Sequence, residues 1–367
     1  DNPFQPDVNF RGFTASPLLG APEGLSVYVD GVRVNESFGD VVNWDLIPEM
    51  AIARMTLMPN NPLFGLNAIG GALSIEMKNG FTYQGAETQL FGGSFGRLQS
   101  GAQYGWNNGT YSAYIAAEGA YDRGWRDFSS ASQVRRMYAD FGARGDNTEF
   151  HLSFTGADNK LGSVAATPIE MLNQRWSSVY TWPQSLRLQM QMVQASLKWA
   201  PTDTLSIQAN GYYRNYKSAR IDGNGSEVED DGGGFFILED AAGNPWDINR
   251  NGPTANTLAA DAALGQIDRN TVKTGSYGGS LQATSTTQLF GHDNHFVVGA
   301  SVDHGNTNFQ ATSELGTIDN NLFVTGLGVY IDQPNAGLAP VNLNAKNTYL
   351  GVYATNTFDI TSQLALT

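Results

Sequence analysis

From about residue 86 onward the chain is a succession of segments, each roughly ten residues long, in which apolar and polar side chains alternate. A period of two places one set of side chains on each face of a β-strand. In the stretch 110–121, one face would carry Tyr111, Ala113, Ile115, Ala117, Gly119 and Tyr121, the other Thr110, Ser112, Tyr114, Ala116, Glu118 and Ala120. The stretch 204–214 repeats the pattern, with Leu205, Ile207, Ala209, Gly211 and Tyr213 opposite Thr204, Ser206, Gln208, Asn210, Tyr212 and Arg214. Weaker versions run through Met137 and Phe141, Phe150 and Leu152, Val193 and Leu197, and Phe296 and Val298.

A soluble sandwich also alternates, so the connections decide. They switch between short and long. Short turns with Gly, Asn, Asp or Pro fall at 106–109, 145–147, 200–203, 291–294 and 359–362, and long loops are expected at 122–132, 159–186, 216–274 and 307–345. An outer-membrane barrel has short turns at its periplasmic rim, long loops at its outer rim, an apolar outer face and aromatic girdles. The 42 Gly, 15 Tyr, 19 Phe and 7 Trp suit that architecture. No run approaches the roughly 18 apolar residues of a spanning helix, so a membrane reading requires a barrel.

The expected fold is therefore mainly β: a partial transmembrane antiparallel barrel of about eleven strands, covering 81–367. Eleven strands alone would leave unpaired edges in lipid, where each unsatisfied backbone group costs several kcal/mol. More strands are expected beyond Thr367. The first residue is Asp1, with no charged or apolar leader, so a targeting signal is expected upstream. The chain has no cysteine, which removes disulfides and thiol chemistry, and its net charge of −14 argues against a nucleic-acid groove.

Residues 1–80 read differently, as a small α/β unit punctuated by Pro and Gly. Asp30-Gly31, inside the apolar alternation of 27–34, signals a hairpin closed by a type I′ turn. The order of motifs is more specific: "NFRGF" at 9–13, "VYVDGVRV" at 27–34, "WDLIP" at 44–48, "IARMTLMP" at 52–59 and "LFGLNAIGGALSIEMK" at 63–78. This order resembles the plug domain of TonB-dependent outer-membrane receptors. The matching residues are Arg11, Gly12, Tyr28, Asp30, Gly31, Arg54, Phe64, Gly65, Asn67, Ala68, Gly70 and Gly71. The family's usual glutamate and Arg-Gly-Pro are missing from "ARMTLMPNNP".

The resemblance implies about eleven strands of an expected twenty-two, with the plug in the lumen. It implies active import of a scarce nutrient, such as a ferric siderophore, by a monomer in the bacterial outer membrane. Other relatives import cobalamin, haem or sugars. The energy would come from the TonB complex, contacted through a segment before Asp1. A passive pore or surface adhesin is the alternative, and it would need no plug. In relatives, plug arginines pair with barrel glutamates, so Arg11 or Arg54 either meets a lumen carboxylate, with Glu118 and Glu149 the possible plug-barrel contacts, or stays a solvated charge in a wet lumen.

Other features carry ordinary readings. "GGSFG" at 92–96 fits a nucleophile-elbow pattern around Ser94, but a strand follows where that motif needs a helix. His151, His292, His295 and His304 show no metal-ligand spacing. The acidic stretch with Glu227, Glu229, Asp230 and Asp231 reads as a solvated loop, and "DINRNG" at 247–252 lacks the closing glutamate of a calcium loop, having Leu258 there. Trp176, Tyr180 and Trp182 could stack on a ligand or pack loops together. No catalysis and no cofactor are expected. Ligand contacts are expected from the loops 159–186, 216–274 and 307–345, since recognition sits on loops held by a rigid scaffold.

Overall fold

The computed structural model describes residues 2–59, 68–162, 166–226, 228–230, 236–239, 245–247, 263–331, 340–361 and 363–367. The first strands are β1 (Val8–Phe10), β2 (Phe13–Ala15), β3 (Leu25–Val29), β4 (Val32–Arg33), β5 (Ile52–Met58) and β6 (Gly71–Met77). β1 and β2 form a hairpin, and the other four form a sheet in the order β4-β3-β6-β5, in which β3 and β6 run parallel. The helical part of this unit consists of 3-10 turns at Trp44–Leu46 and Glu49–Ala51.

Both small hairpins close with two residues in the left-handed region, as a type I′ turn requires. Asp30 and Gly31 have φ of 45° and 81°, as the Asp-Gly signal predicts, and Arg11 and Gly12 have 52° and 84°. The family's Arg-Gly motif is thus a hairpin corner. A Cβ at Gly31 would also lie 3.1 Å from the Asn210 amide of the barrel wall. Gly31→Ala is expected to cost about 1–2 kcal/mol for the left-handed backbone, read as a lower urea midpoint.

The remaining strands are β7 (Gly85–Gly92), β8 (Leu98–Asn107), β9 (Tyr111–Asp122), β10 (Ser132–Arg144), β11 (Thr148–Gly162), β12 (Gln184–Thr202) and β13 (Leu205–Gly225). Three short strands follow, β14 (Glu229–Asp230), β15 (Phe236–Glu239) and β16 (Pro245–Asp247), in a sheet of their own. Then come β17 (Ala263–Ser285), β18 (Asn294–Ile318), β19 (Val324–Tyr330), β20 (Val341–Thr361) and β21 (Leu364–Leu366). All except β14 to β16 form one antiparallel 12-stranded sheet, with neighbours in chain order along β7 to β21 and β19 paired on the side to β18. Among the described residues no helix is long and apolar enough to cross a membrane.

Burial along this sheet is inverted relative to a soluble protein. On β9 the apolar odd positions from Tyr111 to Tyr121 point away from the plug, and the even positions Ser112, Tyr114, Ala116, Glu118 and Ala120 are buried. On β20 Leu350 and Val352 are 80% and 84% exposed. Such a surface is at home in lipid, with its polar face toward the lumen.

The strands outrun the expected loops. β11 reaches Gly162, β13 continues to Gly225, β17 begins at Ala263, and β18 reaches Ile318 before β19 pairs with it. Much of what sequence assigned to the loops 159–186, 216–274 and 307–345 is therefore paired strand. Above the apolar band the outward face is no longer held to apolar side chains, so the alternation weakens while the hydrogen-bond ladder continues.

Candidate functional site: the plug against the barrel wall

Two apolar clusters join the small unit to the large sheet. One packs Leu25, Val27, Trp44, Ala51 and Ile75 on Tyr114, Ala116 and Tyr138, and the other packs Phe4, Val32 and Leu46 on Leu161, Leu188, Met190 and Met192. Polar anchors are set among them. Arg136 on β10 and Glu118 on β9 are direct cross-strand partners, both facing inward, with Arg136 Nε 2.6 Å from Glu118 Oε1. Glu118 accepts the N–H groups of Glu49 and Met50 at 2.8 and 3.1 Å. Arg136 donates to the Ile47 carbonyl at 3.0 Å and to Glu49 Oε1 at 3.1 Å. The pair thus grips the 3-10 turn at Glu49–Ala51, satisfying N–H groups that such a turn leaves open.

A second anchor lies on β13. Arg214 Nη2 donates to Glu36 Oε1 at 2.6 Å and Nη1 to the Val34 carbonyl at 3.1 Å, and both charged side chains are buried. Asn43 bridges this pair to the wall, donating to Glu36 at 3.4 Å and to the Tyr216 hydroxyl at 3.2 Å. On β11, Asn159 donates to the Asp45 carboxylate at 2.7 Å and to its carbonyl at 2.8 Å. On β12, Gln194 donates to the Asp30 carbonyl at 2.8 Å.

Glu118 contacts the plug, but the cations of the buried pairs lie on the side opposite to the one the resemblance implies. Arg136 and Arg214 belong to the barrel, and Glu36 and Glu49 belong to the plug. Arg54 does not meet a lumen carboxylate: it pairs with its cross-strand neighbour Glu76 at 2.6 Å, both well exposed. Arg11 lies over the adjacent Phe10 ring, 5.0 Å from its centre. Glu149 sits near a short turn, 2.6 Å from Arg144 and 3.1 Å from His151, both in the wall. The signal for Arg136 was present in its inward parity opposite Glu118, but the plug partners of either arginine are far away in sequence.

Of the other motif residues, Tyr28 lies on β3, and the Asp30 side chain accepts the Met77 N–H at 2.9 Å, tying the hairpin to β6. At Gly70 a Cβ would lie 2.5 Å from the Phe13 ring, and Gly71, with φ of 138°, opens β6 against the Met58 carbonyl. Phe64, Gly65 and Asn67 lie outside the described residues, as do Glu227, Asp231 and most of 247–258.

At the long-loop rim Trp125 stacks on Trp176 with ring centres 5.0 Å apart, and Phe128 stacks on Trp182 at 4.4 Å. Trp182 is occupied in loop packing, whereas Trp176 and Tyr180 remain exposed. The Ser94 segment is a 3-10 turn between β7 and β8, joining strand to strand. His151 sits between Asp140 and Glu149, and His304 bonds Thr348 at 2.8 Å. Among the described residues no group of three or more His, Asp or Glu is placed to hold a metal ion.

Burial raises the Asp45 carboxyl from its ordinary 3.8 to about 6, against the lowering effect of the bonds from Asn159 and Gln5. The docked state then binds more protons than the released chain across that interval, so this group's contribution is full below pH 3.8 and lost as pH rises through about 6. Asp45→Asn is expected to make plug stability fall less steeply over that range, measured by thermal melts at successive pH values.

A sheet whose apolar face points outward and whose lumen is filled by a docked globular unit defines a plugged outer-membrane β-barrel. Residues 1–72 match the TonB-dependent receptor plug domain, and they are followed by strands of a β-barrel wall. No curated protein sequence matches the chain. Among solved structures it is similar to the siderophore receptor PiuA from Acinetobacter baumannii, at 13% identity and TM-score 0.62, covering 98% of this chain and 50% of that one. It is similar to the ferric citrate transporter FecA in its unliganded form, at 9% identity and TM-score 0.65, covering 97% and 50%. The ferripyoverdine receptor of the Pseudomonas aeruginosa outer membrane aligns at 14% identity and TM-score 0.65, covering 98% and 46%. The chain thus spans about half the length of these receptors.

Proposed function

We propose that the intact receptor imports a ferric siderophore across the outer membrane, with residues 1–80 as the plug and 81–367 as the first part of the barrel wall. The observation that carries this reading is the docked plug: a passive pore has no use for a lumen filled through buried ion pairs at Arg136 and Arg214. The solved neighbours named as siderophore, ferric citrate and ferripyoverdine receptors support a chelated-iron ligand. Energy is taken from TonB, and the ligand enters by the long-loop rim, where Trp176 and Tyr180 are exposed. No step of this cycle requires catalysis by the chain.

The test is uptake of radioactive iron, supplied as citrate, catecholate and hydroxamate chelates, by cells expressing the intact receptor with and without TonB. Accumulation of at least one chelate that disappears without TonB is the expected result. Accumulation of every chelate irrespective of TonB would favour the passive pore, and accumulation of none would remove the iron reading.

A further inference from the structure

The outer face of the barrel carries a belt of cations directly above its apolar band. Arg135 on β10, Lys160 on β11, Arg187 on β12, Lys217 on β13, Lys273 on β17 and Lys346 on β20 all share the outward parity and are exposed. They occupy the first to third outward positions on the long-loop side of Met137, Phe154, Val193, Tyr213, Tyr277 and Leu350. Within those positions on these strands, Asp158 is the sole carboxylate among the described residues, and it is paired with Arg187 at 3.0 Å.

The register makes the belt costly. Lys217 lies directly opposite Lys273, and Lys160 directly opposite Arg187. Like charges facing each other across a ladder destabilise it. Asn215, Thr271, Gly275 and Asn308 surround the lysine pair on that face, and among the described residues no carboxylate pairs with either lysine. In a chain with a net charge of −14, a face this one-sided is suited to anions from elsewhere.

We propose that this belt binds the phosphate groups of phosphorylated lipids in the outer leaflet, with Lys217 and Lys273 clamping one phosphate. The height of the belt selects the source. It lies where the aromatic residues Tyr213 and Tyr277 mark the interface, which is headgroup level. Basic residues at that level attract anionic headgroups. The inference rests on the outer-membrane reading but not on import.

The experiment is native mass spectrometry of the intact receptor in neutral detergent, titrated with phosphatidic acid, phosphatidylcholine or inorganic phosphate, beside Lys217→Gln/Lys273→Gln. The wild type is expected to retain phosphatidic acid over phosphatidylcholine, and the double variant to bind it roughly thirtyfold more weakly. In lipid-free detergent the variant should melt at or above the wild-type temperature, because a repulsion is gone, and only the wild type should gain from phosphatidic acid. Equal retention by both proteins overturns the proposal. An equal gain from inorganic phosphate assigns the site to free phosphate and overturns the lipid source. Neither result changes iron uptake, so failure here is distinguishable from failure of the import reading.

Discussion

Arg214→Leu is expected to release the plug from the wall and turn a closed receptor into a leaky one. The substitution leaves Glu36 buried with Asn43 as its remaining side-chain partner among the described residues, after loss of a 2.6 Å partner and of the bond to the Val34 carbonyl. Removing one member of a buried ion pair costs about 3–5 kcal/mol, because the stranded charge has lost its water as well. Burial already holds the Glu36 carboxyl above its ordinary range, with Arg214 opposing the rise, so loss of the arginine drives it toward the neutral acid. The expected readout is a rise in single-channel conductance of the intact receptor and increased sensitivity of cells to large antibiotics. Glu36→Gln combined with Arg214→Met should restore much of the closure, since replacing both partners leaves no buried charge. If the double variant leaks as much as the single one, shape rather than charge holds this contact.

A charge placed on the outer face should meet lipid, and one on the inner face water. Ile115 lies in the middle of β9 and points away from the lumen, 48% exposed in this chain. Ile115→Arg should cost about 2–4 kcal/mol, the price of a cation near the bilayer midplane of a barrel. Ser206→Arg adds the same charge to the inward face of β13, opposite the uncharged Thr284, and should fold near the wild-type level. Refolding yields in lipid vesicles across a urea series would compare the two. Equal losses would mean that the inward and outward faces are not distinguished by lipid.

What sequence could show follows from which forces act locally. Lipid on one side and a wet lumen on the other impose a period of two, and the predicted faces of 110–121 and 204–214 are the observed ones. The Asp30-Gly31 turn was legible because two consecutive left-handed residues demand a particular chemistry. Beyond the membrane this constraint weakens: residues 263–272 are strand although both faces mix polar and apolar side chains, held by the pairing of β17 with β13 and β18. The docking contacts were hidden for a different reason. Glu36 and Arg214 are 178 positions apart, and each reads alone as an ordinary surface charge. The buried pair at Arg214 has its cation in the wall and its carboxylate in the plug, opposite to the pairing the resemblance implies, and Arg54 pairs with Glu76 on its own sheet.

A docked plug should close the barrel of the intact receptor to ions, and planar-bilayer recording of the wild type reads this. Almost no open conductance is expected in the wild type and a clear increase in Arg214→Leu and Arg136→Leu. A steady, large conductance in the wild type, unchanged in both variants, would contradict it.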